Sequence, residues 1–330
     1  MEEKKLDPYQ LIGFVLIALI MTWMLMRQQG QNLNNQANVN TESKNIKESK
    51  KEPSNQEPKQ NNEESAGLEN FTFSSEKEEE FYQLENSLIK IVVSNRGGQI
   101  TKANLKKFDN YLKQPLNLVD NNQTIDLVFK LKDGRLINTS KLNFEINKKK
   151  SKKGQLVMRA FFSQDRWIEF QYSLLPDSYL LNYLITSSNL QSLIDASEQN
   201  RLEWNLKSFR NSKSVEYENR YTELTYGYEN DKVNELSITG IDEEKVDEIQ
   251  WISYKQHFFN SILIPDKKIN NVFLKSENLV KSENKKERFT KFYSSVIPLK
   301  ISGGFNFKFK WYFGPSQYST LSNYNIGIEK

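Results

Sequence analysis

An uncharged apolar stretch near the amino terminus, residues 9–26, constrains this chain more than any other feature. It contains no Asp, Glu, Lys or Arg, and about 20 such residues in a helix cross the hydrocarbon core of a bilayer. Tyr9 and Trp23 stand near its two ends, where amphipathic rings favour the headgroup layer, and Phe14 lies inside it. A buried core helix would be shorter or would carry a polar stripe. The stretch therefore predicts one transmembrane helix.

The apolar stretch is predicted to stay in the membrane as an anchor. A cleaved signal peptide has an apolar core of about 7–15 residues followed by a cleavage site of small residues. This stretch is longer and ends in bulky residues before Arg27, and the chain has no cysteine to carry a lipid. Lys4 and Lys5 precede the stretch and only Arg27 closely follows it. The positive-inside rule therefore places residues 1–8 in the cytoplasm and the chain from residue 27 onward across the membrane.

Residues 27–68 are predicted to form a disordered linker. They include no Phe, Tyr or Trp, and their Lys and Glu residues nearly balance. So little apolar surface cannot offset the entropy that is lost when a chain is ordered. A flexible coil of about 40 residues has a mean span of roughly 35 Å, so the linker is expected to tether the following domain to the membrane.

Residues 69–330 predict one large, mainly β domain. Alternating and β-branched runs recur between turn signals at intervals of about 8–12 residues, which is typical of a β-sandwich. The abundance of aromatic residues, 20 Phe and 15 Tyr against 13 Gly, suits a sheet core. Asp133 and Gly134 favour a tight type I′ hairpin. About 14 strands or more are expected in a twisted, extended sandwich, with helix only around residues 212–220 and at the carboxyl end.

The sequence predicts no catalytic site, no cofactor and no metal site. His257 is the single histidine; it lies in an apolar run and is interpreted as a strand residue with a hydrogen-bond partner. One histidine and no cysteine fall short of the three or four ligands of a zinc site. The G-x-S-x-G, Walker and EF-hand patterns are absent. Glu169 and Glu203 leave open a carboxylate pair for glycoside hydrolysis, although Glu on an alternating strand more often faces solvent.

The charge pattern argues against nucleic acid as a partner and leaves two clusters to interpret. The net charge of +4 is small and lacks the concentrated basic face of a nucleic-acid binder. The Lys-rich residues 148–153 fit a solvated hairpin tip or, alternatively, a contact with anionic headgroups or an acidic partner. Asp242, Glu243 and Glu244 are expected in a surface loop.

Four short motifs follow the predicted anchor and linker in a fixed order. They are Arg96-Gly97-Gly98 after a strand, Asp177-Ser178-Tyr179 at the start of another, a run with Trp251, Gln256, Phe259 and Pro265, and Gly314-Pro315 near the end. This order resembles the amino-terminal half of the bacterial members of the YidC/Oxa/Alb family of membrane protein insertases. The resemblance covers residues 85–325 in addition to the anchor.

The resemblance implies a periplasmic β-supersandwich of the galactose mutarotase-like type, anchored in the bacterial inner membrane. It also implies a non-enzymatic role in inserting nascent inner-membrane proteins, with the lipid bilayer and Sec translocon components as further partners. The family's membrane core of five further spans has no counterpart before Lys330, so this chain alone is expected to lack insertase activity. The alternatives are a membrane-tethered glycan-binding or mutarotase-like module, which a single histidine fits poorly, and a scaffold of the secretion machinery.

The segment after Gly314-Pro315 is predicted to be a helix, because proline is well tolerated at a first helical position. Its apolar residues fall on one face at spacings of three or four: Tyr318, Leu321, Tyr324 and Ile328. An apolar stripe on a helix must be buried against another surface. The stripe is expected either to pack on the sandwich of this domain or, by our hypothesis, to dock at least partly on a membrane core.

Overall fold

The computed structural model describes residues 78–196, 200–281 and 288–329. In these ranges it contains nineteen strands, two short α-helices and one 3-10 turn, so the mainly β fold predicted from the sequence is confirmed. The predicted cytoplasmic head, anchor and linker, with Tyr9, Phe14, Trp23 and Arg27, lie outside the described residues. Within the described part of the chain, no helix has both the length and the hydrophobicity that a membrane crossing needs.

The strands are two to ten residues long, and most alternate buried with more exposed side chains. In chain order they are β1 (Phe81–Glu85), β2 (Ile89–Ser94), β3 (Ile100–Asp109), β4 (Pro115–Asp120), β5 (Gln123–Lys130), β6 (Leu136–Asn138), β7 (Glu145–Ile146), β8 (Gln155–Phe161), β9 (Trp167–Leu174), β10 (Leu180–Ser188), β11 (Arg201–Phe209), β12 (Leu224–Tyr228), β13 (Lys232–Glu235), β14 (Ile241–Val246), β15 (Ile249–Gln256), β16 (Phe259–Pro265), β17 (Val272–Asn278), β18 (Phe289–Pro298) and β19 (Asn306–Pro315).

The strands form three antiparallel sheets. A four-stranded sheet follows the chain from β1 to β4. The nine-stranded sheet has the order β13-β12-β15-β16-β19-β10-β9-β8-β7, and the six-stranded sheet has the order β14-β17-β18-β11-β5-β6. Strands from distant parts of the sequence are therefore neighbours, as where β10 pairs with β19 through Leu181 and Trp311.

The six-stranded and nine-stranded sheets enclose an aromatic core. Leu202, Trp204 and Leu206 alternate along β11 and are fully buried, because their face of the strand points into the sandwich. The Trp204 ring contacts Tyr254 of β15 and Trp311 of β19, with centroid separations of 3.6 and 4.6 Å. These contacts join the two facing sheets.

The four-stranded sheet lies beside the six-stranded one and is joined to it by the Gln99 side chain. The Gln99 amide donates to the Ile125 carbonyl at 2.5 Å and accepts from the Ile125 N–H at 2.8 Å. On the inner side, Phe108 of β3 meets Phe259 of β16 with ring centroids 5.2 Å apart. Four plus six strands thus face the nine-stranded sheet, which is the extended sandwich that the sequence predicts.

Both helices lie where helix was expected. The first, α1 (Val215–Arg220), begins after Ser214, whose hydroxyl accepts a hydrogen bond from the Tyr217 N–H at 3.2 Å and so caps the first turn. The second, α2 (Tyr318–Ser322), is shorter than the predicted stripe, because it ends before Tyr324 and Ile328.

Two local predictions are wrong. Asp242, Glu243 and Glu244 lie in β14 rather than in a loop; β14 is an outermost strand of its sheet, a position where charged side chains discourage pairing with other chains. The hairpin between β5 and β6 exists, but only Gly134 has a positive φ, of 92°. A type I′ turn requires positive φ at both central residues, so the predicted turn type is incorrect.

Candidate functional surface

The Arg96-Gly97-Gly98 motif forms the turn between β2 and β3. Gly97 and Gly98 have φ values of 69° and 60°, a conformation that favours glycine. A Cβ added to Gly98 would lie 2.6 Å from Phe170 Cδ2, and one on Gly97 would lie 2.6 Å from the Ser140 backbone. The glycines are needed for this close packing, while the Arg96 side chain stays about half exposed.

Of the three other motifs, the run from Trp251 to Pro265 and the Gly314-Pro315 pair come together on adjacent strands. Trp251 and Gln256 lie on β15, and Phe259 and Pro265 are the first and last residues of β16. β16 pairs with β19 in a register that sets Phe259 opposite Pro315 and the next residue opposite Gly314. Trp251 and Gln256 are almost fully buried, so this motif contributes mainly to the core of the nine-stranded sheet.

The carboxyl-terminal segment divides between core and surface. Leu321 and Ile328 are buried, at 5% and 4% exposure, and the Tyr324 hydroxyl accepts a hydrogen bond from the Tyr179 N–H at 2.8 Å. These three residues therefore pack on this domain, which is the first of the two arrangements expected for the stripe. Tyr318 is 70% exposed and is therefore the one residue of the stripe that does not pack on this domain. The hypothesis that the stripe docks on a membrane core stays a prediction, and it now rests on Tyr318.

His257 lies in the turn between β15 and β16, with a φ of 56°, and its placement on a strand was wrong. Its Nδ1 lies 3.2 Å from the Ser212 hydroxyl, so the expected hydrogen-bond partner is present. Glu218 Oε2 lies 4.0 Å from the same nitrogen. In a Ser-His-Asp triad the hydroxyl and the carboxylate bind opposite ring nitrogens, so this cluster lacks triad geometry.

The environment of the cluster disfavours charge on both titratable groups. Burial, with a smaller contribution from Lys255, lowers the pKa of His257. Burial raises the pKa of Glu218, against the opposing effect of the Ser212 hydroxyl, nearby backbone amides and Arg210. The contact between the Ser212 hydroxyl and the His257 ring joins the segment before α1 to the β15–β16 turn.

The two candidate carboxylates do not form a pair. Glu169 lies on β9 in the nine-stranded sheet and Glu203 on β11 in the six-stranded sheet. Glu169 is only 4% exposed, so its expected position on a solvated face was wrong. Its carboxylate is held by Arg159 Nε at 2.6 Å and by Lys150 Nζ at 2.9 Å. One lysine of the 148–153 cluster therefore contacts the sheet instead of extending into solvent.

No group of three or more His, Asp or Glu residues in the described ranges could hold a metal ion.

One end of the sandwich exposes an unusual number of aromatic rings. We call this surface the aromatic end and define it by Tyr111, Tyr217, Tyr221 and Phe258. Phe258 is 62% exposed at the tip of the β15–β16 turn. The His257 ring contacts Tyr217 and Tyr221 at 5.2 and 5.3 Å between centroids.

Backbone hydrogen bonds connect the parts of the aromatic end to one another and to the segment before α2. The Tyr111 N–H donates to the Asn211 carbonyl at 3.1 Å, and the Ser316 N–H donates to the Phe258 carbonyl at 2.7 Å. Six of the twelve large apolar side chains that are exposed among the described residues belong to this region: Tyr111, Leu112, Tyr217, Tyr221, Phe258 and Tyr318. Of these six residues only Tyr318 was predicted from the sequence to lie in a contact surface, although Tyr217 and Tyr221 are four positions apart at the predicted helix.

The described residues form a large β-sandwich domain with a cluster of exposed aromatic rings at one end. A family model described as "YidC periplasmic domain" matches residues 82–330. The chain therefore belongs to the YidC periplasmic domain family, as the order of its motifs predicted.

Curated relatives agree with this assignment. The chain is 31% identical over 259 residues to a protein of Azobacteroides pseudotrichonymphae, covering 78% of this chain and 42% of the relative. It is 30% identical over 256 residues to a protein of Porphyromonas gingivalis, covering 76% and 40%, and 24% identical over 345 residues to one of Chlorobaculum parvum, covering 98% and 57%. Each relative is named "Membrane protein insertase YidC". The chain spans about two fifths of the length of the first two relatives.

Solved structures with a similar fold include a galactose mutarotase-like protein from Lactobacillus casei. The TM-score is 0.44 at 10% identity, over 72% of this chain and all of that one. A galactose mutarotase related enzyme from Lactobacillus acidophilus gives a TM-score of 0.42 at 11% identity, over 71% and 97%. These likenesses are weak, and the family assignment rests on the sequence match.

Proposed function

We propose that this chain is the amino-terminal, periplasmic part of an inner-membrane protein insertase. In this role it assists the insertion and folding of nascent inner-membrane proteins, alone or beside the Sec translocon. The observation that carries the proposal is the family match over residues 82–330, which includes nearly all of the described residues.

The proposed topology has residues 1–8 in the cytoplasm, residues 9–26 in the membrane and the sandwich in the periplasm. The alignment to the Chlorobaculum parvum relative supports it, because that alignment covers 98% of this chain rather than the sandwich alone. In this arrangement Tyr318, exposed just beyond β19, is the aromatic residue of the carboxyl-terminal stripe that we assign to contact with a membrane-embedded partner.

The proposed role is non-enzymatic. His257, Ser212 and Glu218 lack the geometry of a triad, and the Glu169 carboxylate is neutralised by two cations. Contact surfaces rather than reacting groups are then the means by which the domain acts. No feature of the described residues favours the alternative of a glycan-binding or mutarotase-like module.

Deleting the codons for residues 78–329 from the chromosomal gene tests the proposal. We expect slower insertion of newly made inner-membrane proteins, measured by protease accessibility in spheroplasts, with normal export of a soluble periplasmic protein as the control. Unchanged insertion of every inner-membrane protein examined would contradict the proposal.

A cysteine introduced at Asn35 tests the topology, because the chain has no other cysteine. A membrane-impermeant maleimide should label it in intact spheroplasts, and labelling only after lysis would mean that the orientation is the reverse of the proposed one.

A further inference from the structure

We propose that the aromatic end lies against an anionic lipid bilayer, with the rings of Tyr217, Tyr221 and Phe258 at the headgroup level. This inference goes beyond the proposed function, because it requires a bilayer near the domain but no insertion of any other protein.

The exposed rings are fixed in position rather than loosely attached. The Phe258 carbonyl is held by the Ser316 N–H at 2.7 Å, so its side chain projects from a turn whose backbone is anchored to β19. Tyr217 and Tyr221 lie 5.0 Å apart between ring centroids, and both pack on the His257 ring beneath them. Concentrated exposed apolar surface of this kind marks an interaction site for a protein or a membrane.

The type of residue favours a membrane over a dry protein interface. Tyrosine has an apolar ring and a polar hydroxyl, a combination that suits the boundary between hydrocarbon and water. The Tyr217 and Tyr221 side chains are 49% and 40% exposed, and they neighbour Phe258, which offers apolar area without a polar group. This combination of ring types suits a surface at the membrane interface.

The charges around the aromatic end complement anionic headgroups. Lys113, Lys213 and Arg288 form no ion pair with any acidic residue in the described ranges. The Arg210 guanidinium lies over the Tyr111 ring, 4.9 Å from its centroid.

The acidic residues of the same region are mostly neutralised. Glu216 is paired with Arg220 at 3.6 Å, and Glu223 with Lys255 at 2.5 Å, while Glu218 is buried. Asp109 is exposed, and the partly exposed Asp120 lies in the groove beside Tyr111 together with Arg210 and Arg288. An excess of positive charge therefore surrounds the rings, and each Lys or Arg near an anionic membrane contributes about 1 kcal/mol of attraction.

The predicted anchor and linker keep a bilayer within reach of this surface. A linker of about 40 residues spans roughly 35 Å on average, which raises the local concentration of the domain at the membrane. With the predicted anchor in the bilayer, a weak interfacial contact is sufficient, because a tether replaces free diffusion to the membrane.

The absence of cysteine from the chain permits a direct test with the full chain in proteoliposomes. In the Phe258→Cys variant, a polarity-sensitive fluorophore is attached to the introduced thiol. The vesicles contain phosphatidylethanolamine, phosphatidylglycerol and a lipid that is spin-labelled near the headgroup. Phe161→Cys is the matched control, because Phe161 is also an exposed Phe, at 39%, and pairs with Trp167 at the opposite end of the nine-stranded sheet.

We expect a blue-shifted emission and quenching by the spin-labelled lipid at position 258, and neither effect at position 161. Leu112→Cys, on the neighbouring hairpin and 57% exposed, gives a second probe if the first variant folds poorly. Quenching at position 258 should fall when phosphatidylcholine replaces the phosphatidylglycerol and phosphatidylethanolamine while the spin-labelled lipid is kept at the same level, or when Lys113 and Lys213 are both changed to Glu.

Equal emission and quenching at positions 258 and 161 would overturn the proposal. A blue shift at position 258 without lipid quenching would also overturn it, because that result means that a second copy of the chain covers the surface. Quenching that is insensitive to lipid charge and to the lysine changes would overturn the role assigned to anionic lipid.

Discussion

The indole of Trp204 on β11 stacks on the ring of Tyr254 on β15, with centroids 3.6 Å apart and planes 17° apart. The Tyr254 hydroxyl also donates to the Trp204 carbonyl at 2.9 Å. One residue pair thus joins the six-stranded and nine-stranded sheets through both a stacked contact and a hydrogen bond.

Trp204→Ala should strongly destabilise the domain. Removing a fully buried Trp costs about 3–5 kcal/mol, a large fraction of the roughly 5–15 kcal/mol that stabilises a typical domain. The measurement is urea unfolding of a fragment that begins at residue 70, which we expect to fold without the anchor. Phe161→Ala is the control, because this ring is 39% exposed and its loss leaves no enclosed cavity, so the change should cost clearly less than Trp204→Ala. Similar effects of the two changes would contradict the central role of the pair.

The strands were predictable because their side chains alternate, as in Leu202, Trp204 and Leu206. The turn at His257 was not, since the run from Gln256 to Phe259 contains no Gly, Pro, Asn or Asp to mark it. Gln256 pairs with Phe259, so His257 and Phe258 form a two-residue hairpin loop, and His257 takes the positive φ that such a loop needs at its first central residue. Histidine is not a residue that usually marks this turn, so short-range sequence signals do not reveal it.

The buried position of Glu169 was missed for a related reason. Its partner Arg159 is directly opposite on β8, a cross-strand pair that becomes visible only when the strand register is known. The aromatic end was equally hidden, because it assembles residues from the β3–β4 hairpin, α1 and the β15–β16 turn.

Gly98→Ala should destabilise the domain more than Gly240→Ala does. Both glycines have similar positive φ values, 60° and 67°, so both changes carry a comparable backbone cost. Only at Gly98 would the new Cβ collide with a neighbour, 2.6 Å from Phe170, whereas Gly240 faces open space. The excess should be about 1–3 kcal/mol, the usual cost of overpacking, in the free energy of unfolding. Equal effects would indicate that the motif needs glycine for its backbone conformation alone.

Leu321→Ser should lower the melting temperature of the isolated domain, and adding Tyr324→Ser to the same chain should lower it further. Leu321 is buried, and Tyr324 binds the backbone of Tyr179, so both changes remove contacts within the domain. Tyr318→Ser is the matched control, because that side chain is 70% exposed and its loss should leave the melting temperature nearly unchanged. If Leu321→Ser and Tyr324→Ser also left it unchanged, the segment would be free to dock elsewhere as one unit.

Lys291→Met should stabilise the domain at neutral pH, and this gain should shrink as the pH rises from about 8 toward 10.5. Lys291 is fully buried on β18, with its ammonium near the carbonyl of Ile238 and the amide of Asn278, and burial lowers its pKa from 10.5 to about 8. Between these two values the unfolded chain holds a proton that the folded chain has lost, so the stability contributed by this group rises with pH. Below pH 8 the folded parent protein carries the cost of a buried charge, whereas the variant with the uncharged Met side chain does not.

The measurement is the difference in the free energy of unfolding between variant and parent across this pH range, with exposed Lys213→Met as the control. A difference that stays constant with pH would mean that Lys291 keeps its ordinary pKa in the folded protein.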